Sequence, residues 1–165
     1  MRSFVFIGTI LVALTLSFIL VGFCSPVEQS SELSMEFECS KDALWKKVTT
    51  IDMLPSIKAD VHEVKVIEED EHRKWVEYSK IGAKKIMEVE EEVYGERLIV
   101  KEYDPSLNIE KRRVYSFFGT DDKSVLSIKE FVRVEKILLR STMAISGQKH
   151  GIKKELDDLA RHMQL

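Results

Sequence analysis

Residues Phe4 to Phe23 read FVFIGTILVALTLSFILVGF, an uncharged run whose only polar side chains are Thr9, Thr15 and Ser17. As a helix it rises about 30 Å, the thickness of a bilayer's hydrocarbon core, so it is long enough to span a membrane. A cleaved secretory signal is the alternative, because Gly22 and Cys24 form a small-x-small site ahead of Ser25. Arg2 precedes the run, whereas Glu28, Glu32, Glu36 and Glu38 follow it before Lys41. That asymmetry puts the rest of the chain outside the cytoplasm. Residues 1–25 therefore read as an anchor or a signal, and the protein as membrane-anchored or, after cleavage, secreted.

Pro26 to Ser34 are polar and aperiodic, which predicts a flexible linker over residues 26–33. Met35, Phe37 and Cys39 then alternate with Glu36 and Glu38, the period of a half-buried strand. Ser40 suits a helix N-cap, with Asp42 in the first turn and Ala43, Leu44, Trp45 and Val48 at helical spacing. Pro55 makes residues 51–57 a second short helix or turn. Six strand-like runs follow: Val61–Glu68, Lys74–Ile81, Lys85–Tyr94, Arg97–Tyr103, Ile109–Phe118 and Ser124–Val134. The short connections at Glu69–Arg73, Gly82-Ala83, Gly95 and Gly119–Asp122 predict hairpins and hence an antiparallel meander. Beyond it Leu138, Ile145, Ile152 and Leu159 recur every seven residues, beside Leu156 and Met163, as the stripe of a long amphipathic helix. Gly147 and Gly151 weaken its middle and predict a kink or break there.

The Ser40-Lys41-Asp42-Ala43-Leu44-Trp45 entry helix and the turn Asp52-Met53-Leu54-Pro55 resemble those of the START, polyketide-cyclase and pollen-allergen superfamily (START-like, SRPBCC). The resemblance covers residues 34–165. It implies an α+β helix-grip fold, in which a curved seven-stranded antiparallel sheet wraps a long C-terminal helix and two short helices follow strand one. It also implies a cavity for a lipid, sterol, polyketide or quinone. The Asp52-to-Pro55 spacing is shorter than the usual form, and the aromatic or glycine residues that commonly follow the proline are missing.

The chain carries a formal net charge of −3, so nucleic acid is not an expected partner. The composition is 44% hydrophobic and 32% charged, that of one packed domain. His62, His72, His150 and His162 are scattered, and no phosphate loop, nucleophile elbow or metal-ligand spacing occurs. No catalytic residue, metal or cofactor is assigned, and no motif names a protein partner. Cys24 and Cys39 are either a disulfide pair or free thiols.

Charged residues in apolar rows carry more information. Glu91 shares the parity of Met87, Val89 and Val93, and Lys111 and Arg113 share that of Ile109, Tyr115 and Phe117. Either these residues look inward, where Arg113 meets Glu91 or an acidic head group, or a bulge shifts the parity and puts Val114, Ser116 and Phe118 inside. On the first reading Trp75, Glu91, Arg113, Tyr115, Phe117 and Phe131 are the candidate ligand-binding residues. Polyketide cyclase-like acid–base work by Glu91 or Tyr115, and a ligand-free interaction module, are the alternatives to carriage. Lys149, His150, Lys153 and Lys154 are either a solvated helix face or a basic mouth for anionic lipid.

Overall fold

The structure is a computed structural model that describes residues 2–68, 73–147 and 149–163. Thus residues 69–72, with His72 and most of the first expected hairpin turn, lie outside the described residues. Helix α1 (Arg2–Cys24) leads into strand β1 (Glu28–Phe37), helix α2 (Lys41–Thr49), a 3-10 turn at Ile51–Met53 and helix α3 (Leu54–Ile57). Strands β2 (Val61–Glu68), β3 (Lys74–Ser79), β4 (Lys84–Val93), β5 (Arg97–Asp104), β6 (Ile109–Gly119) and β7 (Ser124–Arg133) form the meander, and helices α4 (Ile137–Ser146) and α5 (Lys149–Met163) close it.

Every pairing in the sheet is antiparallel, in the order β1-β7-β6-β5-β4-β3-β2, so the first strand returns to pair with the last. The helix-grip architecture implied by the entry motif is present. Ser40 caps α2 through its hydroxyl, which accepts the Ala43 N–H at 3.2 Å, and Pro55 sits in the first turn of α3 where its missing N–H costs nothing. One core joins Leu44 and Trp45 of α2, Leu54 and Ile57 of α3, the inner face of the sheet, and Ile152, Leu156 and Leu159 of α5.

Two expectations need correction. Residues 26–33 are no flexible linker, because Glu28 to Phe37 pair without interruption with β7, from Glu28 opposite Arg133 to Phe37 opposite Ser124. The alternation was hidden because the inward positions at the start of the strand are the polar Gln29 and Ser31, both buried. The second concerns the seven-residue stripe: the closing helix breaks in its middle, as Gly147 and Gly151 predict, but only its second half lays the stripe on the core. Gly147 stands at φ +81, open only to glycine at low cost, and breaks the stripe there. Ile152, Leu156 and Leu159 pack on the sheet, whereas Leu138 and Ile145 of α4 are 59% and 65% exposed.

Helix α4 instead lies between α1 and the far end of the sheet. Its Leu139 and Met143 pack on Ile109, Val132 and Val134, a second apolar cluster. On its other side the two helices approach closely at Gly22, where any side chain would collide with Ser141 Oγ and the Ile137 carbonyl. Cys24 and Cys39 are free, and Cys39 Sγ lies 3.5 Å from Ser124 Oγ.

This division yields the first prediction. In chemical denaturation of the full chain in detergent, Leu156→Ala lowers stability by about 2–5 kcal/mol, because the site is closed on all sides. Ile145→Ala changes it by about 0.5 kcal/mol or less.

Candidate functional site

The inner face of the sheet is apolar at both ends and charged in the middle. Along β6 it presents Ile109, Lys111, Arg113, Tyr115 and Phe117, and along β7 Val132, Glu130, Ile128 and Leu126. Arg113 is buried and makes three ionic contacts. Its Nε donates to Glu130 Oε2 at 2.7 Å, and its Nη1 lies 3.2 Å from Glu102 Oε2 and 3.1 Å from Glu155 Oε2. Glu130 is the direct cross-strand partner of Arg113, Glu102 stands diagonally on β5, and Glu155 comes down from α5. The inward row of β6 is therefore the one holding Arg113, Tyr115 and Phe117.

The cluster continues sideways. Tyr115 donates its hydroxyl to Glu155 Oε1 at 2.9 Å, and Lys58, just after α3, donates to Glu77 Oε1 at 2.9 Å. The Trp75 indole donates to the same Glu77 oxygen at 3.3 Å, while Lys85 and Lys111 stand 3.2 and 3.6 Å from Glu102 Oε1.

The ionisation of the cluster follows from this geometry. Burial favours the neutral acid at Glu102, but Arg113, then Lys111 and Lys85, outweigh it and hold the carboxyl far below the usual range. Burial is likewise overcome at Glu155 by Lys58 and Arg113, with the Tyr115 hydroxyl adding to the downward shift. At Lys58 burial disfavours the ammonium, yet Glu77 and Glu155 raise its pKa well above the ordinary value. Burial and the Glu155 charge both push Tyr115 up. At neutral pH Glu102, Glu155, Lys58 and Arg113 are thus held as ions beside a neutral Tyr115 phenol.

Next to it, beneath α2 and α3, lies a small, partly enclosed pocket of about 30 Å³. Its walls are Val48, Ile51, Leu54, Trp75, Met87, Val89, Leu98 and Val100, and its polar floor is Lys58, Tyr115 and Glu155. Arg73 stands at the mouth, donating to the Thr49 carbonyl at 3.3 Å and to Glu92 Oε2 at 2.5 Å. Outside it opens a groove of about 430 Å³, lined by Thr49, Thr50, Ile51, Asp52, Val66, Glu68 and Arg73. Thr49, Ile51 and Arg73 border both spaces.

Among the sequence candidates, Trp75 and Tyr115 line this pocket, and Arg113 sits below its floor. Phe117 faces inward but packs edge-on against Trp45 at 4.8 Å without lining the pocket. Glu91 and Phe131 do not take the positions expected of them. A bulge between Val89 and Glu91 turns Glu91 to the outer face, where it pairs with Arg97 and is 40% exposed. Phe131 falls on the outward parity of β7, 40% exposed beneath the Lys129 ammonium, and lines an open outer groove of about 490 Å³. The sequence reading missed Lys58, Arg73, Glu77, Glu102, Glu130 and Glu155. Glu102 and Glu130 carried the signal that exposed Arg113, a charge in an otherwise apolar row.

By sequence, no family model and no curated protein matches the chain. Solved structures do match its fold. The Zhui aromatase/cyclase from a Streptomyces species aligns with a TM-score of 0.71 at 8% identity, over 83% of this chain and 94% of that one. Norcoclaurine synthase from Thalictrum flavum, in complex with dopamine and hydroxybenzaldehyde, aligns with a TM-score of 0.66 at 11% identity, over 88% and 91%. A START superfamily protein from Mycobacterium smegmatis gives 0.65 at 11%, over 82% and 97%. At such identities the likeness establishes a shared START-like helix-grip fold.

Two predictions follow from the cluster. Arg113→Met takes the shared cation from three buried carboxylates, leaving them their lysine contacts, and costs about 3–5 kcal/mol in detergent denaturation. The lowered pKa values of Glu102 and Glu155 contribute stability above the ordinary carboxylate pKa of about 4.3, lost as pH falls through their folded values. The raised values of Lys58 and Tyr115 contribute stability below about pH 10, lost as pH rises. The thermal midpoint is accordingly level from about pH 5 to pH 9 and declines on both sides, and Tyr115→Phe shrinks the alkaline decline.

Proposed function

We propose that this chain is a membrane-held binding protein for a small molecule with an apolar or aromatic body and one polar end, taken up beneath α2 and α3. The observation that carries this reading is the make-up of the pocket: apolar walls, a polar floor of Lys58, Tyr115 and Glu155, and a border of Thr49, Ile51 and Arg73 shared with the outer groove. The pocket holds about one water molecule. On this reading Arg73 lets go of Thr49 and Glu92 to admit a ligand, joining the pocket to a groove within the range of small-molecule sites, about 300–1,000 Å³. The norcoclaurine synthase complex, in which the same fold holds dopamine and hydroxybenzaldehyde, favours an aromatic body. Helix α1, long and apolar enough to cross a membrane, serves as the anchor. Acid–base catalysis has weaker support, since Glu102 and Glu155 are held ionised rather than poised near neutrality.

The filled interior favours a second reading, a ligand-free module that docks on a neighbouring membrane protein. Titration separates the two. The full chain in detergent binds a polarity-sensitive apolar dye at about one per chain, aromatic polyketides, quinones or lipids displace it, and Arg73→Ala speeds its association. Lys58→Met and Tyr115→Phe change selection between polar end groups more than affinity for the apolar body. No saturable binding across that panel defeats the carrier reading and leaves the docking module.

A further inference from the structure

The sheet ends at β2, and among the described residues no strand lies beyond it. The bonding of β3 shows which way the backbone of β2 faces. The Ser79 N–H donates to the Ala83 carbonyl and the Val89 N–H to the Arg73 carbonyl, so the odd-numbered residues of β3 face β4, while Val76 and Tyr78 face β2. Their partners Lys65 and Glu63 spend their backbone groups on β3. Val64 and Val66 therefore turn theirs outward, where nothing bonds to them among the described residues. Bulges between Val61 and Glu63 and between Val66 and Glu68 bound the regular stretch.

The side chains of this edge differ from those of the strands inside it. On the outer face of the sheet, charges pair from strand to strand: Lys74 with Glu88 at 3.3 Å, and Glu90 with Lys101 at 3.5 Å and Arg112 at 2.5 Å. Glu63 and Lys65 stand exposed on the same face. Strand β3 sets only Tyr78 and Val76 opposite them, and they make no ion pair among the described residues. A lone lysine on a free edge ordinarily keeps other strands away. Here a glutamate stands two residues before it, which makes the edge complementary to itself run in the opposite direction.

We propose that β2 pairs antiparallel with β2 of a second copy of this chain, about a two-fold axis at Val64. Outward backbone must meet outward backbone, so Val64 bonds to Val64 of the partner subunit. The flanking pairs, whose side chains lie closest, are then Glu63 with Lys65 of the partner subunit and Lys65 with Glu63 of the partner subunit. The next registers that match outward backbone centre on Glu63 or on Lys65 and set like charges opposite, so the pattern selects the register centred on Val64. A strand pair this short buries less than the about 1,200–2,000 Å² of stable interfaces, and the dimer is weak and reversible. The pairing makes no use of α1 or of the pocket. Sedimentation equilibrium of the full chain in density-matched detergent, over a concentration series reaching about 1 mM, shows a monomer and a dimer in exchange. Glu63→Lys and Lys65→Glu are surface changes that leave the thermal midpoint where it was. Each turns two attractive pairs into repulsive ones and raises the dissociation constant about tenfold or more. The two single variants mixed together dimerise again, and the chain carrying both substitutions regains the native affinity, because either combination restores opposite charges across the axis. Monomer at every concentration overturns the proposal and leaves the edge to a strand of another protein. A dimer that neither reversal weakens, or that the double reversal does not restore, also overturns it and puts the contact elsewhere on the chain.

Discussion

Arg113 is the constraint on which the domain depends. A guanidinium in a closed interior must have its charge answered, and here three carboxylates from three elements answer it: Glu102 of β5, Glu130 of β7 and Glu155 of α5. Replacing such a group wholesale with apolar side chains of the same volume is often neutral, so its value lies in specificity more than in net stability. Apolar contacts between a helix and a sheet tolerate sliding. A forked cation between three fixed anions fixes α5 on β6, and with it the stripe of Ile152, Leu156 and Leu159.

The pocket inherits that order. Glu155 is held from below by Arg113 and in turn accepts the Tyr115 hydroxyl, while Lys58 bridges from α3 toward Glu77 and Glu155. The floor beneath Trp75, Met87 and Leu98 is preorganised before any ligand arrives, and every ion in it has a partner. The same fastening of sheet to α5 goes with the small size of the pocket, whose remaining wall is the α2–α3 segment, with Arg73 bonded to Thr49 and Glu92 beside it.

The strands were legible because their inward rows are apolar and their turns carry glycine or clustered charge, and the six meander strands fall within about two residues of their expected bounds. Strand β1 began earlier than expected because its first inward positions are Gln29 and Ser31, which mimic a linker. Glu91 was misplaced by one extra residue at Glu90, since a bulge reverses the face of all that follows and has no signature in alternation alone. Phe131 was chosen for its chemistry, although the parity of Leu126, Ile128 and Val132 put it outside. The break expected near Gly147 and Gly151 falls at Gly147, and what the heptad stripe does not reveal is that the helix before it packs on a different partner. Arg113 and Glu155 are far apart along the chain, and only the folded sheet brings them together.

The row of ions also divides the interior into two compartments. On one side lie Ile109, Val132 and Val134 under α4; on the other lie Tyr115, Trp75 and the pocket. An apolar molecule crossing from the first to the second would have to pass through a septum of charges tied to one another, Glu102 to Arg113, Lys85 and Lys111, and Glu155 to Arg113 and Lys58. A molecule bound beneath α2 and α3 would enter and leave past Thr49, Ile51 and Arg73, the residues that the pocket shares with the outer groove.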